Sequence, residues 1–589
     1  MTGYKRLRAW LWTAICLTAL TAARLELPAQ DVAQWARQAG SLGRTPLQIT
    51  GGLNLSSQFY GGNGIDPRRD AVQWRILANL NLRFAGIDAP FSLAFSDANR
   101  QFNLPSYAFT GISPSYKWAR LHLGDRSLNF SKYTLNSINF RGAGFELQPG
   151  KLYLAGMYGQ LRRAVAEDFL SQQMLEPAYK RMGYGLKAGV VGDKYEYHAM
   201  VFGAWDDPNS IPQPLNRPVL PANNAVVSVS GRQQIGKRLG AEVELARSAL
   251  NQDRRSELLP AGERTAANTL LGLLAPTVSL TTGNAIRSKL SYSARGLGLN
   301  VGYERIDRGF RTLGALFFLS DAEYYTAGFN KSLLKNKLTL FANGGVERTN
   351  LDDFERNGTQ RLVGSLNTGY APNDRWNFNA SYSNFQNTTK LRTLFDPASP
   401  VDSIILAQTT QTANGSVTYH LRDKDNPASI SLVLTQQQAN SIIDDVVQPD
   451  AKSNFFNGSL VYAASRPARD LRFSASLNAN QTQLANFDNF VLTPTLGIAK
   501  GYFNRQLQLN ARIAYNQVFA EAGDSGVLNV GFGSSWSVKK AHTLSLNTTL
   551  INRSADTGGF TEWYGQLMYN YNFTRNLRLT QSAPAPADK

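Results

Sequence analysis

Period-two alternation between apolar and polar residues recurs along this chain and limits its possible folds more than any other feature. From Val72 to Phe84 every second residue is apolar, and the residues between them are mainly Gln, Arg and Asn. The same two-sided pattern returns at 376–383, 471–478 and 507–516. Such segments match the ~9 to 11 residues that a tilted strand needs to cross a bilayer. The repetition predicts an all-β protein whose strands separate an apolar environment from a polar one.

A soluble β-rich fold also alternates, so the two classes must be weighed against each other. The segments here are long, and they are too numerous for one β-sandwich. Aromatic residues also gather near segment ends, as in the girdles of outer-membrane barrels. Examples are Phe59, Tyr60, Tyr116, Trp118, Tyr324 and Tyr325. We therefore predict a single transmembrane antiparallel β-barrel in the outer membrane, with a soluble β-rich protein as the alternative.

The first 30 residues have the composition of a secretory signal peptide. Lys5, Arg6 and Arg8 precede a short apolar run at 9–23, and small residues follow it. That run is too short to be a spanning helix. The chain's one cysteine, Cys16, lies inside the run, so we expect neither disulfides nor thiol chemistry in the exported protein.

Link lengths give an independent indication of a barrel, because outer-membrane barrels alternate short periplasmic turns with longer outer loops. Short, turn-prone links occur at 294–296, 335–337, 372–374, 423–427, 466–470, 503–505 and 539–541. Longer polar links lie between them, at 307–321, 347–360, 387–406 and 440–452. After residue 286 the pattern gives about fifteen strands. For both termini to lie in the periplasm, the number before it must be odd, which means nine or eleven. We expect about 24 strands, within a range of about 22 to 26.

The predicted domain map follows from these boundaries. It contains a signal peptide (1–30), a short periplasmic segment (31–45), the barrel (46–573) and a disordered periplasmic tail (574–589). The final barrel strand alternates apolar with polar residues and ends on an aromatic residue. It resembles the C-terminal β-signal that the barrel-assembly machinery reads, with these apolar positions: Leu567, Tyr569, Tyr571 and Phe573.

Three stretches in the first part of the barrel also resemble a known family. They are Ile112–Arg126, Phe140–Gly144 and Tyr179–Gly185, within residues 45–205. This part of the chain is similar to a family of large, poorly characterised outer-membrane barrels of Bacteroidota. The resemblance implies the location and the fold, but no substrate.

Three insertions in the first half are the candidates for loops, a lid or a plug. They are residues 161–179, 206–224 and 249–285. We expect short helices in the first, at 161–179, and in the last, at 265–275, where leucines cluster. The second contains five prolines and predicts a stiff irregular loop. Because the strand pattern begins near Leu47, we expect no N-terminal plug domain.

Charged residues in phase with the polar strand faces are the predicted lining of the lumen. The formal net charge is +18, and basic charge by itself does not indicate a nucleic-acid partner. The predicted lumen-lining residues are Arg75, Arg83, Arg287, Lys289, Arg472 and Arg512, opposed by Glu242 and Glu244. A basic lumen would lower the barrier for anions. The alternatives are charges that are simply solvated, or that bind lipopolysaccharide phosphates near the outer rim.

Catalysis has little support in the sequence. His198 lies two residues from Glu196 on the same strand face, but no serine can be assigned to the pair. We find no metal-ligand spacing and no phosphate- or dinucleotide-binding glycine motif. We therefore predict no enzyme, no catalytic or metal site and no cofactor.

Two functional classes remain open at this stage. The first is a pore or conduit for bulky solutes or polypeptide, which internal loops could gate. The second is a sealed barrel that acts as a scaffold for a surface or envelope partner protein. The expected partners are outer-membrane lipid and lipopolysaccharide, the barrel-assembly machinery and, for the second class, another envelope protein, but no nucleic acid.

Overall fold

The computed structural model describes residues 47–577, with gaps at 97–108, 168–176, 215–218, 271, 316–318, 353–356, 392–403, 422, 424, 444–445, 486, 522, 540 and 556–557. The predicted signal peptide, the segment 31–45 and residues 578–589 of the predicted tail lie outside these residues. Among the residues described, regular structure other than strand is limited to two 3-10 turns, Ala261–Glu263 and Pro467–Arg469. None of the described helices is long and apolar enough to cross a membrane.

Strand segments follow one another along the chain. Up to residue 251 they are β1 (Leu47–Asn63), β2 (Val72–Phe84), β3 (Ile87–Ser96), β4 (Phe109–Ile112), β5 (Ser115–Tyr116), β6 (Ala119–Ser127), β7 (Asn139–Leu147), β8 (Leu152–Arg162), β9 (Arg181–Val191), β10 (Tyr195–Asp206), β11 (Asn223–Ile235) and β12 (Leu239–Asn251). After it they are β13 (Leu280–Ala294), β14 (Leu297–Ile306), β15 (Ala322–Leu333), β16 (Leu338–Thr349), β17 (Asn357–Tyr370), β18 (Trp376–Leu391), β19 (Ile404–His420), β20 (Ala428–Ile443), β21 (Val446–Arg466), β22 (Leu471–Leu484), β23 (Phe487–Tyr502), β24 (Leu507–Ala520), β25 (Ser525–Val538), β26 (His542–Ala555) and β27 (Phe560–Leu577).

The sheet closes on itself. Successive strands pair antiparallel, and β1 pairs with both β2 and β27. β4 and β5 are two halves of one strand, because both pair with β3 and β6 and only Ser113 and Pro114 separate them. Proline has no backbone N–H to donate to a ladder, which accounts for the break. The result is a closed antiparallel barrel of 26 strands.

The strand number is two higher than the ~24 that we expected. Strands β13 to β27 match the fifteen predicted for the second part of the chain. The shortfall therefore lies before β13. There, Pro114 splits one strand into two short pieces, and β8 and β10 are apolar on both faces, so their alternation is hidden.

The two ends of the barrel differ in their links. One end has tight turns and holds both Leu47 and Leu577, and we call it the short-turn end. Its β2–β3 turn is made by Ala85 and Gly86, whose φ angles of 50° and 81° suit a two-residue hairpin. The other, long-loop end carries 252–279 and 307–321. The long link predicted at 440–452 is wrong, because β20 and β21 continue pairing through most of it.

One face of the sheet carries large apolar side chains that are exposed. Trp74, Leu496 and Trp536 are 45%, 52% and 51% exposed, and they alternate with polar neighbours along their strands. A surface of this kind would cause aggregation in water, but around a closed barrel it is the band that contacts lipid. The chain folds as a large outer-membrane β-barrel.

The predicted boundary between barrel and tail needs a correction. β27 does not end at Phe573 but continues to Leu577. Residues 574–577 pair with 47–50 at the start of β1, and this pairing satisfies backbone groups that a disordered tail would leave to water.

Candidate functional site: the barrel lumen

The registers between neighbouring strands show which residues share one side of the sheet. Glu244 lies opposite Arg287, and Arg287 lies opposite Glu304 on the next strand. Farther round, Asn379 lies opposite Ser416. Because opposite residues in a ladder point to the same side, the polar residues share one side of the wall. It is the side away from the exposed apolar band, and it therefore lines the lumen.

An apolar core lies inside the barrel at one part of the wall. It is built by residues 128–138, which link β6 to β7 and which we call the inner segment. Its buried side chains are Leu128, Phe130, Tyr133, Leu135 and Ile138. They pack against lumen-facing residues of several strands, among them Phe140, Met157, Met200, Phe202, Val226, Ala246 and Ala285. Only the concave side of a wall lets one short segment contact so many strands.

A second link enters the lumen beside the inner segment. This inner loop, residues 307–315, places Phe310 edge-on against Tyr133, with ring centroids 5.7 Å apart. Thr312 Oγ1 donates to the Thr134 carbonyl at 2.8 Å, and the Asn136 amide donates to the Gly314 carbonyl at 2.8 Å. We call the inner segment and inner loop together the inner core. The contacts show two links, far apart in sequence, folding as one unit.

Polar contacts fix the inner core to the wall. Asn224, on β11, donates to the Arg311 carbonyl at 3.0 Å and accepts from the Leu313 amide at 3.0 Å. Glu304, on β14, accepts from the Tyr133 hydroxyl at 2.8 Å and pairs with Lys132. Burial, reinforced by Glu304, raises the pKa of Tyr133 above its usual value, so its hydroxyl remains a donor.

A charged belt borders the inner core on β9 to β13. A cavity of about 270 Å³ opens between Lys132 of the inner segment and the side chains of this belt. Its charged lining consists of Lys132, Lys187, Glu196, His198, Arg232, Glu242, Glu244, Arg287 and Lys289. Both signs are present, and Glu196 accepts from Arg232 at 2.6 Å. The belt therefore has no uniform positive charge.

The structure unites some of the predicted lumen residues and separates others. Glu242 and Glu244 lie opposite Lys289 and Arg287 in the charged belt. Arg75 and Arg83 lie on β2, far from the belt along the sheet, and Arg83 is 3.7 Å from Asp88. The remaining pair, Arg472 on β22 and Arg512 on β24, lines a separate recess with a volume of about 550 Å³.

Two histidines on lumen-facing positions, His198 and His122, take part in polar networks. His198 Nε2 lies 2.7 Å from Glu196 Oε1. A second network was not anticipated: Ser113 Oγ lies 3.0 Å from His122 Nδ1, and His122 Nε2 lies 2.8 Å from Glu146 Oε1. Ser113 and His122 are both buried. The described residues hold no cluster of three or more His, Cys, Asp or Glu side chains suited to a metal ion.

Among the described residues, the inner segment and the inner loop build the inner core, and both lie outside the three predicted insertions. Residues 168–176 of the insertion 161–179, for which a short helix was predicted, lie outside the described residues, and the ends of that link meet at an antiparallel Val165–Ala178 bridge. In 206–224, Ile211 is buried, and Asp206 and Ala222 are joined through their backbones.

The third insertion contains turns where a helix was predicted. In the described part of 265–275, Leu270 and Gly272 have φ angles of 46° and 87°, which interrupt a right-handed helix. Leu270 and Leu274 do pack, but against Ala225 and Ala249. Those alanines face outward, because they alternate with lumen-facing residues. This stretch therefore covers the outer wall.

The inner segment was missed because a link between strands is normally read as an exposed loop. Its apolar residues were visible in the sequence, with Leu128, Phe130, Tyr133 and Leu135 closely spaced. The stronger signal is the second apolar face of β10, formed by Met200, Phe202 and Ala204. A strand that is apolar on both sides needs a cover inside the barrel.

No family model matches the sequence, and no curated protein matches it. Among solved structures, the chain is similar to the P pilus usher (PapC) translocation pore at 12% identity, covering 90% of this chain and 100% of that chain, with a TM-score of 0.27. It is similar to the outer membrane protein OpdK from Pseudomonas aeruginosa at 12% identity, over 60% of this chain and 94% of that one, with a TM-score of 0.30.

A third similar structure is the E. coli P pilus tip assembly intermediate PapC-PapD-PapK-PapG, at 11% identity. It covers 89% of this chain and 60% of that one, with a TM-score of 0.40. At such values the likeness concerns the barrel fold alone.

Proposed function

We propose that this protein is an outer-membrane pore or conduit for bulky solutes or polypeptide, narrowed on one side by the inner core. The observation that carries the proposal is the division of the lumen. The inner core packs on β7 to β15, where it buries apolar side chains. From β16 to β27, the only buried apolar residues among those described are Ala407 and Ala514. We call β16 to β27, with β1 and β2, the polar wall.

The size of the barrel supports a wide passage. At a strand spacing of about 4.8 Å and a tilt of about 40°, 26 strands would enclose a circular barrel about 50 Å across. The two short links of the inner core contain too few residues to fill such a cross-section. A hydrated space along the polar wall would accommodate a bulky solute.

Single-channel conductance of the refolded protein in a planar bilayer tests the proposal. We expect large steps, and larger steps when Tyr133→Ala and Phe310→Ala together loosen the inner core. The matched control is Phe341→Ala, which removes an exposed lumen aromatic from the polar wall. Silence from a barrel whose heat-shifted gel mobility shows it to be folded would overturn the open pore. It would favour the alternative, a sealed scaffold that holds another envelope protein.

The family, the export route and the assembly route are further proposals. We propose that the chain belongs to the Bacteroidota-type barrels that it resembles, and that residues 1–30 direct its export. We also propose that the barrel-assembly machinery reads the outward face of β27, where Leu567, Tyr569, Tyr571 and Phe573 share one side. The Tyr571 and Phe573 rings stack with centroids 5.2 Å apart. Phe573→Ala should lower the yield of folded barrel in the membrane, whereas removing 578–589 should not.

The remaining partners follow from location and charge. Lipid and lipopolysaccharide would contact the apolar band and its outer rim. No nucleic-acid partner is proposed, because the lumen charges near the inner core are mixed in sign. No catalytic step is proposed either; we assign the Ser113–His122–Glu146 network the role of joining β6 and β7 to the broken strand.

A further inference from the structure

A recess in the polar wall, near the short-turn end, differs from the rest of the lumen. One row of opposite residues crosses six strands there, from His420 on β19 to Arg512 on β24. The four positions between them are small: Ser429, Ala463, Ser474 and Gly497. Arg472 lies on the next row toward the short-turn end. Large residues at both ends and small ones between them leave a recess of about 550 Å³.

Close packing limits the size of the side chains on the floor of the recess. A Cβ atom added at Gly497 would lie 2.7 Å from the Ser474 hydroxyl oxygen. A larger side chain at Gly497 would therefore displace its neighbour and fill the recess. The basic side chains at its edge extend above a floor made of hydroxyl, methyl and glycine positions.

The charge of the recess has one sign. Arg472 and Arg512 form no ion pair among the described residues, whereas some lumen charges elsewhere are paired, as Arg361 is with Glu347. The lumen faces of β22, β23 and β24 carry no aspartate or glutamate. Asp470, in the nearby β21–β22 turn, is already paired with Arg505 at 2.6 Å. Because guanidinium groups remain protonated at any ordinary pH, the positive charge is permanent.

We propose that this recess is a binding site for the carboxylate or phosphate group of a solute that passes through the barrel. This inference rests on the proposed pore function and gives it a substrate class, anionic solutes. The two guanidinium groups supply N–H donors suited to oxyanions. His420 adds a ring N–H at the opposite edge of the recess. The small floor admits the body of the solute between these groups.

Citrate is a suitable probe, because it carries several carboxylates. Calorimetry on the folded protein in detergent should show citrate binding, and citrate should reduce single-channel conductance. The variant Arg472→Gln/Arg512→Gln should weaken binding by about tenfold or more, since charge-assisted hydrogen bonds are lost. Arg472→Lys/Arg512→Lys should retain part of the binding. The charge-matched control, Lys335→Gln/Lys337→Gln in the β15–β16 turn, should bind as the unmodified protein does.

The two measurements separate this inference from the pore itself. Binding that is lost only in the recess variant, from a barrel that does not conduct, would support the site and overturn the open pore. Conductance without citrate binding would support the open pore and overturn the site. Equal binding by the recess variant and the unmodified protein, with both folded, would overturn the site.

Discussion

On β10 the lumen-facing residues include Met200, Phe202 and Ala204, whereas on β18 they include Asn377, Asn379 and Ser381. The first set is buried beneath the inner segment. The second set is joined by bonds between exposed side chains, such as Asn379 to Ser416 at 3.5 Å. Both strands belong to one sheet, yet one side of the lumen is packed like a protein interior and the other is lined like a channel.

The difference shows how a very large barrel can be stabilised and still leave a passage. Apolar packing contributes stability wherever it excludes water, and among the described lumen residues it is found on β7–β15. The polar wall gains little from its side chains, because water in the lumen competes for every hydrogen bond. In the proposed pore, stability and passage therefore belong to different parts of the same wall.

The largest expected effect comes from truncating an aromatic residue on each side of the lumen. Phe202 is 0% exposed in the inner core, and Phe341 is 44% exposed on the polar wall. Phe202→Ala should lower the free energy of unfolding by about 3 to 5 kcal/mol, because it leaves a cavity. Phe341→Ala should cost less than about 1 kcal/mol. Urea unfolding of the barrel in lipid vesicles measures both, and equal losses would abolish the distinction between the two sides.

The polar wall was largely predictable from the sequence. Period-two alternation is a local property, and it identified β18, β22 and β24, on which residues such as Asn377 and Arg512 alternate with apolar neighbours. Tight turns were equally local, as at Arg295 and Gly296, whose φ angles are 46° and 72°. Where each strand has one solvated and one lipid-facing side, the pattern determines the fold without long-range information.

The inner core was not predictable in this way, because long-range contacts create it. Tyr133 meets Glu304 across 171 positions, and Thr312 meets Thr134 across 178. Neither contact leaves a periodic signal. The same limit applies to 574–577, which are strand only because β1 lies beside them. The two recess arginines were predicted as lumen lining. The small residues that form the recess floor between β19 and β24 come together only through the strand registers, which cannot be read from the sequence.

The next effect, in order of size, compares two lumen-facing glycines. A Cβ atom at Gly185 would lie 2.6 Å from Cε2 of Phe130, in the inner segment. Gly185→Ala should therefore overpack the core and cost about 1 to 3 kcal/mol. At Gly531, on the polar wall, the nearest atom is the Thr548 carbonyl oxygen at 4.0 Å, so Gly531→Ala should be neutral or slightly stabilising. Unfolding midpoints in urea would show the difference, and a neutral Gly185→Ala would mean that the inner segment is loosely packed.

A smaller effect should appear in how often the inner segment opens. Glu304→Gln weakens the contacts to Lys132 and Tyr133, and a loss of about 1 to 2 kcal/mol would raise the open population about 5- to 30-fold. The buried Thr134, replaced by Cys in a Cys16→Ser background, reports opening through its rate of maleimide labelling. The control is Glu347→Gln. Glu347 lies on β16 and pairs with Arg361 on β17, so its loss should leave the labelling rate unchanged. Equal labelling in both variants would show that Glu304 does not hold the segment.

The smallest effect is expected within the polar wall itself. Asn414 Nδ2 donates to Ser381 Oγ at 3.2 Å, one of the bonds that link β18 to β19 inside the lumen. Ser381→Ala should change the free energy of unfolding by less than about 0.5 kcal/mol, because lumen water replaces the lost partner. Single-channel conductance should also stay the same. A loss above about 1 kcal/mol would mean that this bond is shielded from water, because an unsatisfied group costs that much only where it is buried. That result would contradict a hydrated passage along the polar wall even if the inner core behaves as predicted.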